Sequence, residues 1–448
     1  MNRVKVDFSK VSGKVKPMHG INNIPYSVVN CKFAKKFLKD SGAPFCRLHD
    51  TMGAYGGSHF VDIHNIFPDF TADETDANNY DFTLTDEYIS CIQESGCQTF
   101  YRLGSTIEWA SKKYHIHPPA DYQKWARICE RIIMHYNYGW ADGFEFGIKY
   151  WEIWNEPENP PMWTGTREEF FELYCTASKY LKEKFPEISL GGYGSCGFYA
   201  VTRENMNDFY KSFIPYFTDF LAVVKANNAP LDFFSWHIYT SSVDEVSIHA
   251  KYVRETLDRY GFTDTETFLN EWNYGDEGTS HVDKRTIKGA VFVASVMCAL
   301  QNEGTVDGAM YYCVNNDTVY NGLTNPVDVS YFKAMYAMMM FRDLYTRKNM
   351  VECMQDLENV YVTAASDKDG SVIMICNDSE EAQVIEVEFA NEQQGTQFIM
   401  EELLLSESAD SVITKTEIFR GTIIIPVINL PAKSVVELKI SRKEWTEA

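Results

Sequence analysis

The sequence predicts an α/β protein: a (β/α)8 TIM barrel with a C-terminal all-β sandwich domain. Between residues 14 and 345, short apolar or β-branched runs alternate eight times with longer helical patterns. After about residue 350, strand-like runs follow one another with no helical pattern between them. With 448 residues, the chain is also too long for one ordinary core. We therefore expect a barrel over residues 14–348 and a β-sandwich over residues 349–448, to which residues 1–13 add a strand.

Eight strand-like runs define the predicted barrel. In chain order they are "VKPMHGIN", "PFCRLHD", "CQTFYRLGS", "YWEIWNEP", "ISLGGYGS", "LDFFSWHIY", "ETFLNEWNY" and "VDGAMYYCVN". Helical patterns separate them, and several end at a glycine, as expected for a residue with positive φ after the last turn. These glycines are Gly96, Gly139, Gly261 and Gly304. A doubly wound sheet is the alternative, but no G-x-G-x-x-G motif follows the first run.

The C-terminal part reads as short strands joined by turn residues. The runs are "NVYVTAASD", "SVIMICND", "AQVIEVEFA", "TQFIMEELL", "GTIIIPVI" and "SVVELKIS". The N-terminal "RVKVDFS" alternates in the same way and is expected to join this domain.

Charge and cysteine content restrict the partners and the compartment. A formal net charge of -22 disfavours nucleic acid and anionic membranes, because phosphates would be repelled. The N-terminal segment has no signal-peptide core, and no apolar run is long enough to span a membrane. The 11 cysteines are odd in number and include no C-x-x-C pair, which indicates reduced thiols. We expect a cytoplasmic protein without cofactor, acting alone or as a homo-oligomer.

Polar residues end several of the predicted barrel strands, where TIM-barrel enzymes carry their working groups. These strand-end residues are Arg47, His49, Asn155, Glu156, His237, Tyr239, Glu271, Trp272, Asn273, Tyr312 and Asn315. Two glutamates surrounded by aromatic, amide and imidazole groups are typical of a sugar site.

The spacing of the two glutamates supports this interpretation. Glu156 and Glu271 lie 115 positions apart, about three strand–helix units, on the fourth and seventh strands. They should therefore face each other across the barrel mouth, where two carboxyl groups can flank a glycosidic bond. Mutual repulsion and unequal burial would keep one protonated and the other ionised.

The segments around these glutamates resemble glycoside hydrolase family 39 of clan A, the family of bacterial β-xylosidases and L-iduronidases. "FEFGIKYWEIWNEPENPPMW" resembles the acid/base segment with its Asn-Glu-Pro, and "FLNEWNY" resembles the nucleophile strand. The Arg-x-His of "CRLHD", the His-x-Tyr of "DFFSWHIYTS" and the fifth strand "GGYGSCG" also match. The resemblance covers most of the barrel and, in architecture, the β-sandwich.

The resemblance implies a role for each matching residue. Glu156 would be the general acid/base and Glu271 the nucleophile of a retaining double displacement. Asn155 would bond the sugar 2-hydroxyl. Arg47 and Tyr239 would hold Glu271 ionised and oriented. Contacts to the sugar would come from His49, His237, Trp109 and Tyr312, and further support of the site from Trp272 and Asn273.

Two positions depart from the family pattern. Asp50 stands where glycine follows the Arg-x-His, and Tyr312 stands where a tryptophan would form the sugar platform. The eighth strand also lacks the family's following acidic pair. The sugar therefore stays open: a β-xylosidase is the first expectation, and β-galactosidase, α-L-arabinopyranosidase and L-iduronidase activities are alternatives. A non-catalytic carbohydrate-binding barrel or a scaffold is a rival of another class.

Other polar residues of these segments have simpler interpretations. Glu152 and Glu158 are expected to be ordinary surface carboxylates. His59 with His64, and His115 with His117, lack the spacing and third ligand of a metal site, so we expect no bound metal.

Overall fold

The structure is a computed structural model. It describes residues 2–25, 31–51, 59–275, 280–314, 319–325, 328, 330–390, 396–420 and 424–444.

Eight parallel strands close into a barrel, in the order in which they occur along the chain. They are β2 (Gly20–Asn22), β3 (Phe45–Arg47), β4 (Gln98–Leu103), β5 (Tyr150–Ile153), β6 (Ser189–Ser195), β7 (Phe233–Thr240), β8 (Glu266–Tyr274) and β9 (Gly308–Tyr311). Strand β2 pairs with both β3 and β9, which closes the ring. The predicted (β/α)8 barrel is confirmed, and the doubly wound alternative was wrong.

Helices follow the barrel strands. They are α1 (Cys31–Ser41), α2 (Ile63–Ile66), α3 (Thr83–Glu94), α4 (Tyr122–Tyr138), α5 (Arg167–Lys184), α6 (Asp208–Ala226), α7 (Val243–Tyr260), α8 (Ile287–Glu303) and α9 (Lys333–Thr346), with 3-10 turns at Ala77–Asn79, Tyr199–Val201 and Asp283–Arg285. Gly139, Gly261 and Gly304 end α4, α7 and α8 with φ of 71°, 86° and 69°. The predicted glycine stops are confirmed at these three helices.

Aromatic residues fill the N-terminal end of the barrel. Six side chains from six different strands form one cluster there: Phe45, Phe100, Tyr150, Phe233, Phe268 and Met310. The rings of Tyr150 and Phe268, for example, lie 5.0 Å apart. This apolar floor closes one end of the barrel, so the polar residues above it face the opposite end, where the strands terminate.

Nine strands form the second body. They are β1 (Asn2–Lys14), β10 (Asn349–Met354), β11 (Val360–Ser366), β12 (Gly370–Asn377), β13 (Gln383–Ala390), β14 (Thr396–Leu405), β15 (Asp410–Arg420), β16 (Val427–Leu430) and β17 (Ser434–Glu444). Their order is β15-β14-β17-β12-β11-β10-β1-β13-β16. Phe398 of β14 and Ile385 of β13, near opposite ends of this order, share one core, so the sheet folds over itself as a sandwich.

The N-terminal strand belongs to this second body. Strand β1 pairs antiparallel with β10 and parallel with β13. Two strands of the structure were missing from the sequence prediction, β10 and β15. Strand β15 lies at the sheet edge with mostly exposed or half-buried residues, so its sequence carries no buried-face pattern.

The sheet packs against two helices of the barrel. Buried residues of β12, including Met374 and Cys376, join the same core as residues of α8 and α9. The Sγ atoms of Cys298 on α8 and Cys376 lie 3.8 Å apart. Within the described ranges, none of the helices combines the length and apolar character that crossing a membrane requires.

Candidate active site

Glu156 follows the end of β5 in a conformation that few non-glycine residues adopt. The φ angles of Trp154 and Glu156 are 71° and 45°. The amide of Glu156 donates to the carbonyl oxygens of Tyr193 (3.1 Å) and Gly194 (3.0 Å) on β6. These two bonds anchor the turn to the neighbouring strand and present the carboxyl group at the C-terminal end of the barrel.

Glu271 lies on β8 and approaches Glu156 through a shared histidine. Nδ1 of His237 on β7 is 2.7 Å from Oε1 of Glu156 and 3.7 Å from Oε2 of Glu271. One ring nitrogen of His237 and one carboxylate oxygen each of Glu156 and Glu271 all lie within 4.8 Å of one another. Retaining glycosidases separate their carboxyl groups by about 5–5.5 Å, and inverting ones by about 6.5–9.5 Å. One oxygen of Glu156 and one of Glu271 within 4.8 Å of each other are compatible with the shorter separation.

Two donors hold the carboxylate of Glu271. The guanidinium Nη1 of Arg47 donates to Oε2 at 3.1 Å, and the hydroxyl of Tyr239 donates to Oε1 at 2.6 Å. Because both oxygens accept hydrogen bonds, the carboxyl group has a fixed orientation, and the two donors oppose the rise in its pKa that burial causes.

A buried polar layer lies beneath this pair. Nε of Arg47 donates to Oε2 of Glu152 at 2.7 Å, and Oε1 of Glu152 accepts from Ser235 and Asn270, both at 2.6 Å. The side chains of Arg47 and Glu152 are fully buried. The prediction of Glu152 as a surface carboxylate was wrong, because alternate residues of a strand point to opposite faces and Glu152, two positions after Tyr150 of the barrel floor, faces the barrel interior.

Glu158 was also wrongly predicted to be an ordinary surface carboxylate. Its Oε1 accepts from the hydroxyl of Ser195 and the amide of Cys196, each at 2.8 Å. Its Oε2 is buried without a hydrogen-bond partner among the described residues. Burial, together with the charge of Glu156, raises the pKa of Glu158 to about 7. Glu158 therefore has a carboxyl group that bonds to the end of β6, and not the solvated side chain that we expected.

The contact between Glu156 and His237 shifts the pKa of both groups. Burial favours the neutral form of Glu156, but the hydrogen bond and charge of His237 outweigh it, so the pKa of Glu156 is lowered. Burial likewise opposes the charge on His237, but Glu271 and Glu156 outweigh it and raise its pKa. Burial, with the charge of Glu156, raises the pKa of Glu271. His237, one hydrogen bond from Glu156, is therefore the group whose protonation is coupled to that of Glu156.

A cavity of about 340 Å³ opens above the two glutamates. Its described lining is His49, Asp50, Ile107, Trp109, Asn155, Glu156, Asn159, Met162, Cys196, Tyr199, Phe209, Tyr210, Phe213, Tyr239, Glu271, Tyr312 and Tyr320. A larger cavity of about 610 Å³ lies on the outer surface of the barrel between α5, the end of α6 and Gln123 of α4, away from the strand ends. The smaller cavity is the one that contains the carboxylate pair.

Several predicted sugar contacts line this cavity. The Asn155 Oδ1 accepts from Arg47, which leaves its amide nitrogen for a ligand. The side chain of Trp109 is 75% exposed and forms part of the rim. The hydroxyl of Tyr312 donates to Oδ2 of Asp50 at 2.9 Å, and Nε2 of His49 lies 3.3 Å from the same oxygen.

Other predicted residues lie elsewhere. His237 is fully buried and its Nδ1 bonds to Glu156, while its contact with a sugar hydroxyl stays a prediction. Trp272 points away from the axis and packs against Tyr311 and Phe292 of α8. Asn273 donates to the carbonyl oxygens of Tyr312 and Tyr320, so it holds the end of β9 and the segment beyond it. Asn315 lies outside the described residues.

Sequence reasoning missed some residues of the site. Asp50 stood out only as a departure from the family pattern, and its Oδ1 is buried without a partner among the described residues. Phe209 and Phe213 of α6 also line the cavity, along with Tyr320. None of these three follows a barrel strand directly, so reading strand ends could not find them.

The closed (β/α)8 barrel holds at its mouth two paired glutamates, an orienting arginine and an aromatic-lined cavity, an arrangement typical of glycoside hydrolases. Residues 4–311 match the family described as "Glycosyl hydrolases family 39". The chain belongs to this family.

Two individual relatives match shorter parts of the chain than the family model does. Over 192 residues the chain is 25% identical to the "Beta-xylosidase" of Geobacillus stearothermophilus, a match covering 39% of this chain and 34% of the relative. Over 176 residues it is 27% identical to the "Beta-xylosidase" of Caldicellulosiruptor saccharolyticus, covering 37% and 32%. The matches thus span about a third of the length of each of these relatives.

Solved structures resemble the whole chain. A glucosidase from Croceicoccus marinus has a TM-score of 0.78 at 20% identity, covering 99% of both chains. A monomeric β-xylosidase from Caulobacter crescentus has a TM-score of 0.72 at 16% identity, covering 98% of this chain and 99% of that one. At these identities the likeness supports the two-body fold and does not identify a substrate.

Proposed function

We propose that the protein is a retaining, exo-acting glycoside hydrolase that releases a terminal sugar from oligosaccharides or glycosides, with β-xylosidase as the first specificity. The observation that carries the proposal is the pair Glu156 and Glu271, whose oxygens lie within 4.8 Å of each other at the barrel mouth. The two relatives described as β-xylosidases support the choice of sugar.

In the first step, the carboxylate of Glu271 forms a bond to C1 while the bond from C1 to the leaving oxygen breaks. Glu156 protonates that oxygen and becomes the carboxylate that acts as base in the second step, with His237 as its hydrogen-bond partner at 2.7 Å. Arg47 and Tyr239 orient the attacking carboxylate. Asn155, through its amide nitrogen, bonds the 2-hydroxyl, a contact that tightens at the transition state.

In the second step, Glu156 removes a proton from water as the water oxygen bonds to C1. The ester bond between C1 and Glu271 breaks, and both carboxyl groups return to their starting states. Two successive displacements at C1 give net retention of configuration.

The cavity supports an exo mode and a neutral terminal sugar. Its volume of about 340 Å³ is near the lower end of ligand sites, a size suited to one sugar unit. Asp50 lines it and donates nothing when ionised, so it would repel a sugar carboxylate. This disfavours an L-iduronidase and leaves β-galactosidase or α-L-arabinopyranosidase activity as the alternatives to β-xylosidase.

A panel of nitrophenyl glycosides tests the proposal. Wild type should cleave at least one β-glycoside, and Glu271→Ala should lower its kcat by about 10³-fold or more, with azide restoring turnover and giving the product of opposite anomeric configuration. Glu266→Ala, at the other end of β8, is the matched control and should keep most activity. Cleavage of no glycoside together with sugar binding would instead favour a carbohydrate-binding barrel.

A chelator distinguishes this mechanism from a metal-dependent one. The donor atoms of Glu156, His237 and Glu271 are also close enough together to ligate a metal ion. Because double displacement needs only the two carboxyl groups, activity should be unchanged after treatment with EDTA.

We further propose a cytoplasmic location. The described cysteines, such as the adjacent Cys298 and Cys376, are free thiols, which suits a reducing compartment. Cell fractionation with an antibody to the chain tests this location. Homo-oligomerisation stays a prediction.

A further inference from the structure

A second cavity adjoins the catalytic one. Its volume is about 530 Å³, and its described lining is Tyr199, Arg203, Glu204, Met206, Tyr210, Tyr239, Tyr274, Gly275, Ser280, His281, Lys284 and Tyr320. Four tyrosines belong to both cavities: Tyr199, Tyr210, Tyr239 and Tyr320. Because Tyr239 also donates to Glu271, this second cavity, the side groove, begins beside the reacting carboxylates. A unit joined to the sugar in the catalytic cavity can therefore extend into it.

Lys284 is an unusual residue on the wall of this groove. It lies in the turn Asp283–Arg285 between β8 and α8, and it is only 5% exposed. Across the part of the chain that the structure describes, its ammonium group makes no ion pair and no hydrogen bond. It lies over the ring of Tyr320, whose centroid is 5.3 Å from Nζ, and Cys313 is close enough to favour its charge.

Burial of most of the Lys284 side chain is costly, because it removes part of the water that would stabilise the charge, although the ammonium group itself still opens on the groove. That cost lowers the pKa of Lys284 from its ordinary value. A ring face compensates the lost hydration only in part, and a carboxylate would add a stronger, charge-assisted hydrogen bond. A bound anion is the simplest way to satisfy this group.

The other charges of the groove favour a single negative charge on the ligand. The guanidinium of Arg203 is already paired with Glu245, with Nε–Oε1 at 2.7 Å and Nη2–Oε2 at 2.8 Å. Glu204 is exposed at the edge of the groove and carries a negative charge. Among the described residues of the groove, Lys284 thus supplies a positive charge without an ion-pair partner, which matches a carboxylate better than a phosphate dianion.

We propose that the side groove is a subsite for an acidic sugar unit, a uronic acid linked to the terminal sugar, and that Lys284 binds its carboxylate. The tyrosines provide flat surfaces for the sugar ring. This inference deepens the proposed function and rests on it only in placing the terminal neutral sugar in the catalytic cavity. That cavity, which Asp50 and the two glutamates line, is a different location from the groove.

A binding titration of the full chain tests the proposal without requiring catalysis. The probes are D-glucuronate and D-glucose, which differ only in carboxylate or hydroxymethyl at C6, followed by NMR or calorimetry at low salt. Wild type should bind glucuronate about tenfold more tightly than glucose, and salt should reduce the difference. A partial loss of folded protein affects both titrations equally, so it does not change the ratio of the two affinities.

Substitutions of Lys284 test whether this residue causes the preference for glucuronate. Lys284→Met should bring the ratio close to one, while Lys284→Arg should keep a preference for glucuronate because the charge remains. The matched control is Lys288→Met, since Lys288 is 54% exposed on α8 and lies 3.8 Å from Asp283. This control should leave the ratio as in wild type.

Three results would overturn the proposal: equal affinities in wild type, a preference for glucuronate that survives Lys284→Met, or tighter binding of glucose 6-phosphate than of glucuronate. The last result would assign the groove to phosphorylated sugars. If no glycoside is cleaved in the activity panel, the proposed function fails, and the titration still decides whether the groove binds a carboxylate.

Discussion

At the scale of single residues, Glu156 and Glu271 differ in the donors around them. Glu271 accepts from Arg47 and Tyr239, whereas Glu156 accepts from His237, a group that can itself carry or release a proton. Permanent donors suit a nucleophile that must stay ionised, and a titratable partner suits a residue that must gain and lose a proton.

This difference predicts the effect of Tyr239→Phe on the pH profile. The Tyr239 hydroxyl opposes the burial that raises the pKa of Glu271, so removing it raises that pKa further. Glu271 acts as the anion, and activity is lost as pH falls through its pKa. The acidic limb of kcat/KM should therefore move to higher pH, by roughly one unit, and kcat should fall about 10- to 100-fold.

Tyr274→Phe is the control for this measurement. Tyr274 lines the side groove at the end of the same strand as Glu271, and it packs against Phe292. Its variant should leave the acidic limb in place. An acidic limb that also stays in place in Tyr239→Phe would contradict the electrostatic role given to the hydroxyl.

Some residues of the site were predictable from the sequence and others were not. Glu156, Glu271 and Arg47 end strands or lie near their ends, and strand ends meet at one rim of a barrel. Glu152 was misjudged because only the barrel's curvature shows that its side of β5 faces other polar groups. Asp50 and Lys284 depend on how loops fold over the rim, which no local pattern encodes.

At the scale of elements, strand alternation explains which neighbours of Glu271 take part in the site. Trp272 points to α8 because successive strand residues face opposite sides, while Asn273 returns to the inner side and bonds two carbonyl oxygens. The regular βα repeat made the barrel predictable. Strand β15 was missed because its residues are mostly exposed and lack that regular burial.

Strand β17 contains a buried acid whose titration should affect stability. Glu437 is 1% exposed, its Oε1 has no partner among the described residues, and Nζ of Lys439 lies 3.7 Å from its Oε2. Burial raises its pKa to about 8. A raised pKa in the folded state means that the stability present below about pH 4.3, the ordinary pKa of glutamate, is lost as pH rises toward 8.

Glu437→Gln removes this charge while keeping the side-chain shape. At pH 8 the variant should unfold at a higher urea concentration than wild type, because its free energy of unfolding should be larger by a few kcal/mol. Near pH 4 the two proteins should differ little. Glu417→Gln, on the exposed edge strand β15, should change little at either pH. Equal stability of Glu437→Gln and wild type at pH 8 would show that Glu437 is not held in a desolvated position.

At the scale of the whole molecule, the sandwich docks on the barrel through α8 and α9, on the outside of the strands that carry Glu271 and Tyr312. The sequence predicted both bodies, since their hydrophobic periods differ. It could not predict their docking, because residues such as Cys298 and Cys376 look like ordinary core positions until the two surfaces are placed together.

The central claim is that Glu271 forms a covalent bond to the sugar, and trapping that bond tests it most directly. The protein would be incubated with the 2-deoxy-2-fluoro glycosyl fluoride of the sugar preferred in the panel, and then digested for mass spectrometry. We expect one added fluorosugar per chain, on the peptide that contains Glu271. An adduct on Glu156, or no adduct together with a product of inverted anomeric configuration, would contradict it.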